Sequence, residues 1–326
     1  MKGLRTLAGA IRAVASATAL ELASRPETLL LLLAGVVLTA LIPLLHFHDF
    51  GEPGRIARDG GLAYQLVIGT ALAAFSVSRS IRDELDDGTA MAALSKPVGR
   101  GAFLVGKWLG VCAVMGRFWA ATLAATIIAA RVSPRFVTFA DGTMGYLADA
   151  ASQSMLLAAP PLALLVGGAL HNRRRARFCL AASAALTWLM LAALAATLLF
   201  DREWIFSPSF ANAPLNVVTA SLPILFATVA VSAFAAALAT RLKAAAVAAV
   251  CAALVAAGLS WDAVTAAHPA MRLLPVANVQ SLWLADSIAG GECVPLPYLA
   301  VALLYAASLS SFAILLGAAA LKGRDL

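Results

Sequence analysis

Eight apolar runs, each 17 residues or longer, limit what this chain can become. They fall at 28–45, 62–78, within 108–130, and at 150–170, 179–200, 219–240, 244–260 and 298–321. A helix rises about 1.5 Å per residue, so about 20 residues cross a hydrocarbon core of about 30 Å. Inside that layer no water satisfies backbone N–H and C=O groups, so each run must be helical. The chain is 62% hydrophobic and only 13% charged, far from the balance of a soluble domain. The expected fold class is all-α: a polytopic transmembrane helical bundle of about eight spans.

Residues 1–27 precede the first span. Leu4, Leu7, Ile11, Val14 and Leu22 share one face at helical spacing, and Lys2, Arg5 and Arg12 lie opposite. That pattern predicts an amphipathic helix lying in the membrane interface. Arg12 interrupts the Ala-rich stretch 13–19 that a signal peptide would use as its core, so the segment is expected to be retained.

Basic residues set the orientation. One side collects Lys2, Arg5, Arg12 and Arg25, five residues between Arg79 and Lys107, four in 173–177, and Arg241, Lys243, Lys322 and Arg324. That is 17 of the 24 basic residues, against six on the other side. The excess predicts cytoplasmic N- and C-termini and an even number of spans. The net charge of +7 therefore marks a membrane side and not a nucleic-acid partner.

The most charged stretch runs from Arg82 to Gly110. It opens with Asp83, Glu84, Asp86 and Asp87, then Gly88-Thr89, a short run to Leu94, Ser95-Lys96-Pro97-Val98-Gly99-Arg100, and Gly106-Lys107 at the mouth of the next apolar run. Small apolar faces alternate with charge, as in a short helix lying on the membrane and offered to a soluble partner. This order of features resembles the cytoplasmic coupling segment of ABC type-2 exporter permeases. The chain end, Gly323-Arg324-Asp325-Leu326, is similar to the basic-Asp-Leu finish of that family.

The resemblance implies a single permease domain over 1–326 with a coupling segment at 79–107. Arg82, Asp83, Glu84, Asp87, Gly88, Thr89, Lys96, Pro97 and Arg100 would meet an ABC ATPase, two copies per complex. A second permease copy or a homologue would complete the assembly in the inner (plasma) membrane. Six spans are the more usual number in that family, so 219–260 reads as an added hairpin. No cofactor is expected. A secondary transporter, or a membrane scaffold of a secretion or maturation complex, is the competing reading.

Other motifs were weighed against plainer explanations. Gly101 to Lys107 fits GxxxxGK, but Trp108 stands where a phosphate loop needs Ser or Thr, and no strand precedes it. The chain is thus expected to lack a nucleotide site and to draw ATPase activity from its partner. Gly106 and Gly110 are spaced as GxxxG, which permits close helix approach, although small residues are common throughout. Arg117 is the one charge deep in a span. It reads either as lining a translocation path or as reaching back to the interface. His46, His48, Asp49 and Glu52 form a cluster that suits the headgroup zone better than a metal. Cys112, Cys179, Cys251 and Cys293 show no metal or disulfide spacing and read as packing residues. Pro160-Pro161 in the fourth span predicts freed carbonyls that neighbouring helices must satisfy.

Overall fold

The computed structural model describes residues 2–45, 54–86, 99–138, 142–147, 149–208, 214–268 and 278–322. In chain order the helices are α1 (Lys2–Ala23), α2 (Pro26–Leu41, continued by a 3-10 turn Ile42–Leu45), α3 (Arg55–Asp86), α4 (Arg100–Val132), α5 (Ala150–Arg174), α6 (Phe178–Leu199), α7 (Leu215–Ala239), α8 (Ala244–Leu259), α9 (Trp261–Ala267) and α10 (Leu296–Lys322). A small antiparallel hairpin, β1 (Arg135–Thr138) and β2 (Met144–Leu147), joins α4 to α5. Among the described residues, seven helices are long and apolar enough to cross a membrane, namely α2 to α7 and α10. An eighth span results if α8 and α9, bent by 59° at Ser260, count as one. The protein is a multi-pass, all-α membrane bundle.

The helix ends differ from expectation in one informative place. The second span was drawn at 62–78 and the third within 108–130, yet α3 runs on to Asp86 and α4 starts at Arg100. Charge alone does not end a helix. The breakers Gly88, Pro97 and Gly99 lie further along, and Gly99 is the N-cap of α4. Arg82, Asp83 and Glu84 are therefore helical, and Lys107 sits two turns inside α4. Asp87, Gly88, Thr89, Lys96 and Pro97 lie outside the described residues, as does the His46–Glu52 cluster.

The helices α3 and α4 form an antiparallel pair with a constant register. A Cβ on Gly61 would lie 2.5 Å from the Thr126 hydroxyl, and one on Gly69 3.3 Å from the Phe118 ring. Lys107 Nζ lies 3.0 Å from Ser80 Oγ. The same register sets Asp86 beside Gly101. At 1.5 Å per residue the end of α3 at Asp86 lies about 9 Å beyond the Ser80–Lys107 level.

The helix α7 packs at the centre of the bundle. It is apolar on all sides, so no face is left for water, and such helices are buried. Trp108 donates to Ser232 Oγ at 3.0 Å, and Trp119 donates to Ser221 Oγ at 2.7 Å. Each pair of partners is eleven residues apart, close to three helical turns, so two indoles clamp α4 along α7. Ser221 Oγ donates in turn to Gln65 Oε1 of α3 at 2.7 Å. The expected added hairpin over 219–260 is thus half core: α7 is central, and α8, 16 residues long, is the short helix. At about 24 Å it needs α9 to complete a crossing. The helix α5 continues unbroken through Pro160 and Pro161.

Candidate functional site

The helix boundaries gather ionic residues at one end of the bundle. Here α1 hands over to α2, α3 ends, α4 begins, α5 ends and α6 begins. Lys107 is only 4% exposed, and its ammonium meets Glu84 Oε1 at 2.6 Å and Glu21 Oε2 at 3.6 Å. A lysine this deep is stable only when paired. Arg25, in the α1–α2 turn, donates to Glu21 Oε1 at 2.6 Å and to Asp83 Oδ2 at 2.9 Å. Burial alone would lower the Arg25 pKa, but the two carboxylates outweigh it and raise it. Arg79 pairs with Glu27 at 3.0 Å across α3 and α2. The cluster ties α1, α2, α3 and α4 together at this end of the bundle.

The Gly106/Gly110 pair belongs to the same construction. A Cβ on Gly106 would fall 2.8 Å from Val14 Cβ, and one on Gly110 2.6 Å from the Ala15 carbonyl oxygen. Two bare glycines thus let α1 lie against the backbone of α4. Gly110→Leu should dislodge α1. The expected readout is new protease cleavage within 2–23 in membrane vesicles, with α4 still inserted.

Of the sequence-derived contact residues, the structure brings Asp83 and Glu84 into ion pairs within the chain. Arg82 sits on the same last turns of α3, and Arg100 is the first residue of α4. Sequence reasoning missed Glu21, Arg25 and Lys107 as members of this cluster. The available signal was Lys107 itself, a charge two turns inside a helix that begins at Gly99.

Arg117 stands in the middle of α4. It is ten residues, about 15 Å, from Lys107 and 14 residues, about 21 Å, from Arg131. Its guanidinium reaches a cavity that Thr28, Leu72 and Ser183 help to line, and Nη1 is buried with no hydrogen-bond partner. Thr28 and Ser183 lie near the starts of α2 and α6, so the side chain leans toward the ionic end.

The opposite end is held by Arg131 and Asp149. Their side chains meet at 2.7 Å, and Asp149 is fully buried. Arg131 also donates to the carbonyls of Thr197, Phe200 and Asp201. Asp149 caps α5 through Ser152 N at 2.9 Å and accepts from Trp204 Nε1 at 3.1 Å. Among the described residues no cluster of His, Cys, Asp and Glu has metal-site geometry, and the four cysteines are free thiols.

Residues 5–176 match the family model described as ABC-2 family transporter protein. The chain belongs to the ABC-2 transporter family. The matched segment spans α1 to the end of α5 and so includes the α3–α4 hairpin, the ionic cluster and Arg117. No curated protein and no solved structure matches the chain. It is the membrane subunit of an ABC transporter, of a family whose members work with an ABC ATPase.

Proposed function

We propose that this chain is the permease of an ATP-driven exporter in the inner membrane, with both termini in the cytoplasm. Two permeases, this chain with a second copy or with a homologue, would enclose the path, and two ATPase subunits would dock below them. The chain itself would carry no nucleotide site. The observation that best supports this reading is the constant α3–α4 register. A contact made at 87–98, which links the two helices in sequence, would then move α3 and α4 as a unit. Through Lys107, Glu84, Glu21 and Arg25 the same displacement reaches α1 and α2. Arg117, on the inner side of these helices, would line the path they open.

The pairing inside the cluster changes how the contact should be tested. Glu84 holds a buried lysine, so reversing it perturbs the fold as well as any docking. Asp87, Lys96 and Arg100 lie in or next to the linking segment and are the better probes. The triple variant Asp87→Lys, Lys96→Glu, Arg100→Glu should recover at most about a tenth of the ATPase that wild type co-purifies. That loss corresponds to unpaired interface charges costing at least about 1.4 kcal/mol. The melting temperature of the permease should stay unchanged. Equal ATPase recovery with intact transport would remove the coupling role from this segment.

Orientation has its own test. In a background without native cysteines, cysteines placed at Gly51 and Ala289 should react with an impermeant maleimide added outside, and one at Gly88 should not. Strong outside labelling at Gly88 would reverse the assignment.

A further inference from the structure

The turn from α5 to α6 gathers positive charge without any counterpart. His171-Asn172-Arg173-Arg174-Arg175-Ala176-Arg177 holds four arginines in five positions, and all four are exposed. No Asp or Glu occurs between Asp149 and Asp201, so α5 and α6 bring no carboxylate of their own. The α1–α2 turn adjoins them, since Arg177 donates to Ser24 Oγ at 3.4 Å. Its acids are engaged elsewhere: Glu21 with Arg25 and Lys107, Glu27 with Arg79. Among the described residues no carboxylate pairs with any of the four arginines.

Two details exceed a general bias of charge toward one membrane side. The dipole of α5 favours Arg173 and Arg174 in its last turn, but Arg177 is the N-cap of α6, where the same effect disfavours a cation. Arg175 ends α5 in the left-handed region, φ 50° and ψ 29°. Glycine is the usual residue in that conformation, because it has no Cβ to crowd. An arginine held there is strained, and such strain marks positions whose side chain is used.

The surroundings say what these charges face. The span α2 starts at Pro26, and Arg177 reaches Ser24 just before it, so the turn stands at headgroup depth. Only three residues separate Arg174 from Phe178, too few to carry the arginines far from the membrane. Below the turn the open faces of α5 and α6 are apolar. Leu165 and Trp188, 69% and 72% exposed, lie nine and eleven residues from Arg174 and Arg177, about 14 and 17 Å down each helix.

We propose that the α5–α6 turn binds the headgroup of an anionic phospholipid with two phosphates, diphosphatidylglycerol. A phosphodiester has two free oxygens, which a guanidinium fork grips as a pair. Four guanidiniums serve two such phosphates, two on each, and a lipid with one phosphate leaves half of them unengaged. The acyl chains lie along the open faces of α5 and α6. The turn lacks the acids that alternate with bases in 82–100, so it suits a lipid surface and not a soluble partner. This goes beyond the permease reading and does not rest on it, because binding needs neither an ATPase nor a direction of transport.

The test uses the purified full chain in nonionic detergent with fluorescently labelled diphosphatidylglycerol, read by microscale thermophoresis. Binding should saturate. Unlabelled diphosphatidylglycerol should compete better than phosphatidylglycerol at equal phosphate by about tenfold or more, since it engages two more arginines. Phosphatidylcholine, which has no net charge, and inorganic pyrophosphate, which has no chains, should not compete. Each arginine removed should weaken binding about fivefold, so Arg174→Gln with Arg175→Gly should lose about 25-fold. The melting temperature of that double variant should be no lower than wild type, because glycine relieves the left-handed residue. Lys243→Gln, which removes an exposed cation at the same end of the bundle, should bind as wild type does. Wild-type affinity in the double variant would overturn the proposal, and so would equal competition by phosphatidylglycerol, phosphatidylcholine or pyrophosphate. A loss in Lys243→Gln as large as in the double variant would reduce the effect to diffuse surface charge and defeat the proposal as well. If the double variant kept its lipid affinity but lost co-purified ATPase, the turn would belong to the soluble partner instead.

Discussion

Replacing Arg131 with alanine should destabilise the protein by about 3–5 kcal/mol, the cost of leaving a buried ion without its partner. Asp149 has no exposed side-chain surface, so the orphaned carboxylate has no water to turn to. Three carbonyls at the end of α6 lose their donor in the same step. Asp149→Asn should cost less, because an amide oxygen still accepts from Ser152 and Trp204. Acid, which neutralises the Asp149 carboxyl, should act as Asp149→Asn does. Burial alone would raise the Asp149 pKa, but the hydrogen bonds from Ser152, Arg131 and Trp204 outweigh it and lower it. A depressed carboxyl stabilises the fold above its unfolded value of about 3.9 and loses that contribution as pH falls through the folded value. Melting temperature against pH should thus be flat at neutrality and fall at strongly acidic pH, with a shallower fall in Asp149→Asn. A neutral-pH unfolding midpoint unchanged by Arg131→Ala would show that the pair does not hold this end.

The spans were legible because burial in lipid leaves a signature in one dimension: a run of apolar residues. Their ends were not. Arg82 to Asp86 are nearly all charged and Arg100 to Lys107 is bounded by charges, and charge in a sequence looks the same on a loop and on a helix that outruns the membrane. What decides is the partner, and Glu84 stands 23 residues from Lys107. No local window joins them. The central place of α7 was hidden for a related reason. A helix that is apolar all round reads the same whether it faces lipid or protein. The indication lay in matched spacings, since Trp108 and Trp119 repeat the interval of Ser221 and Ser232.

The candidate site was legible in outline only. Composition and motif order located the charged stretch between the second and third spans, and the end of α3 and the start of α4 fall within it. The division of labour inside the stretch was not visible. Asp83 and Glu84 looked equivalent to Asp87, yet both are held by cations of this chain. Gly106 and Gly110 gave a pattern too common to interpret, and only the approach of α1 gives it meaning. Arg117 was conspicuous as a lone charge. With α4 running from Arg100 to Val132, it stands at mid-helix.

Lys107 offers the second large effect and separates structure from docking. Glu84→Ala should cost about 3 kcal/mol, near the lower end for a broken buried pair, because Glu21 Oε2 remains 3.6 Å from the ammonium. Glu21→Ala with Glu84→Ala should cost more than the two singles together, since only the double variant leaves Lys107 wholly uncompensated. Adding Lys107→Met should then recover most of the loss, because an unbranched apolar chain of similar length fills the site without a charge. A cycle of these variants, followed by unfolding in mixed micelles, yields the coupling energies directly. The pattern bears on mechanism. If the ion pairs only hold the fold, the rescued triple variant regains ATPase-driven transport along with stability. If they carry displacement from the linking segment to α1, the triple variant regains stability and still binds ATPase, but transport stays uncoupled from ATP hydrolysis. We expect the second outcome. Methionine packs where lysine did, yet it makes no attachment to α1 or to the end of α3 that could pull. Full recovery of coupled transport in the triple variant would reduce the cluster to a structural clasp.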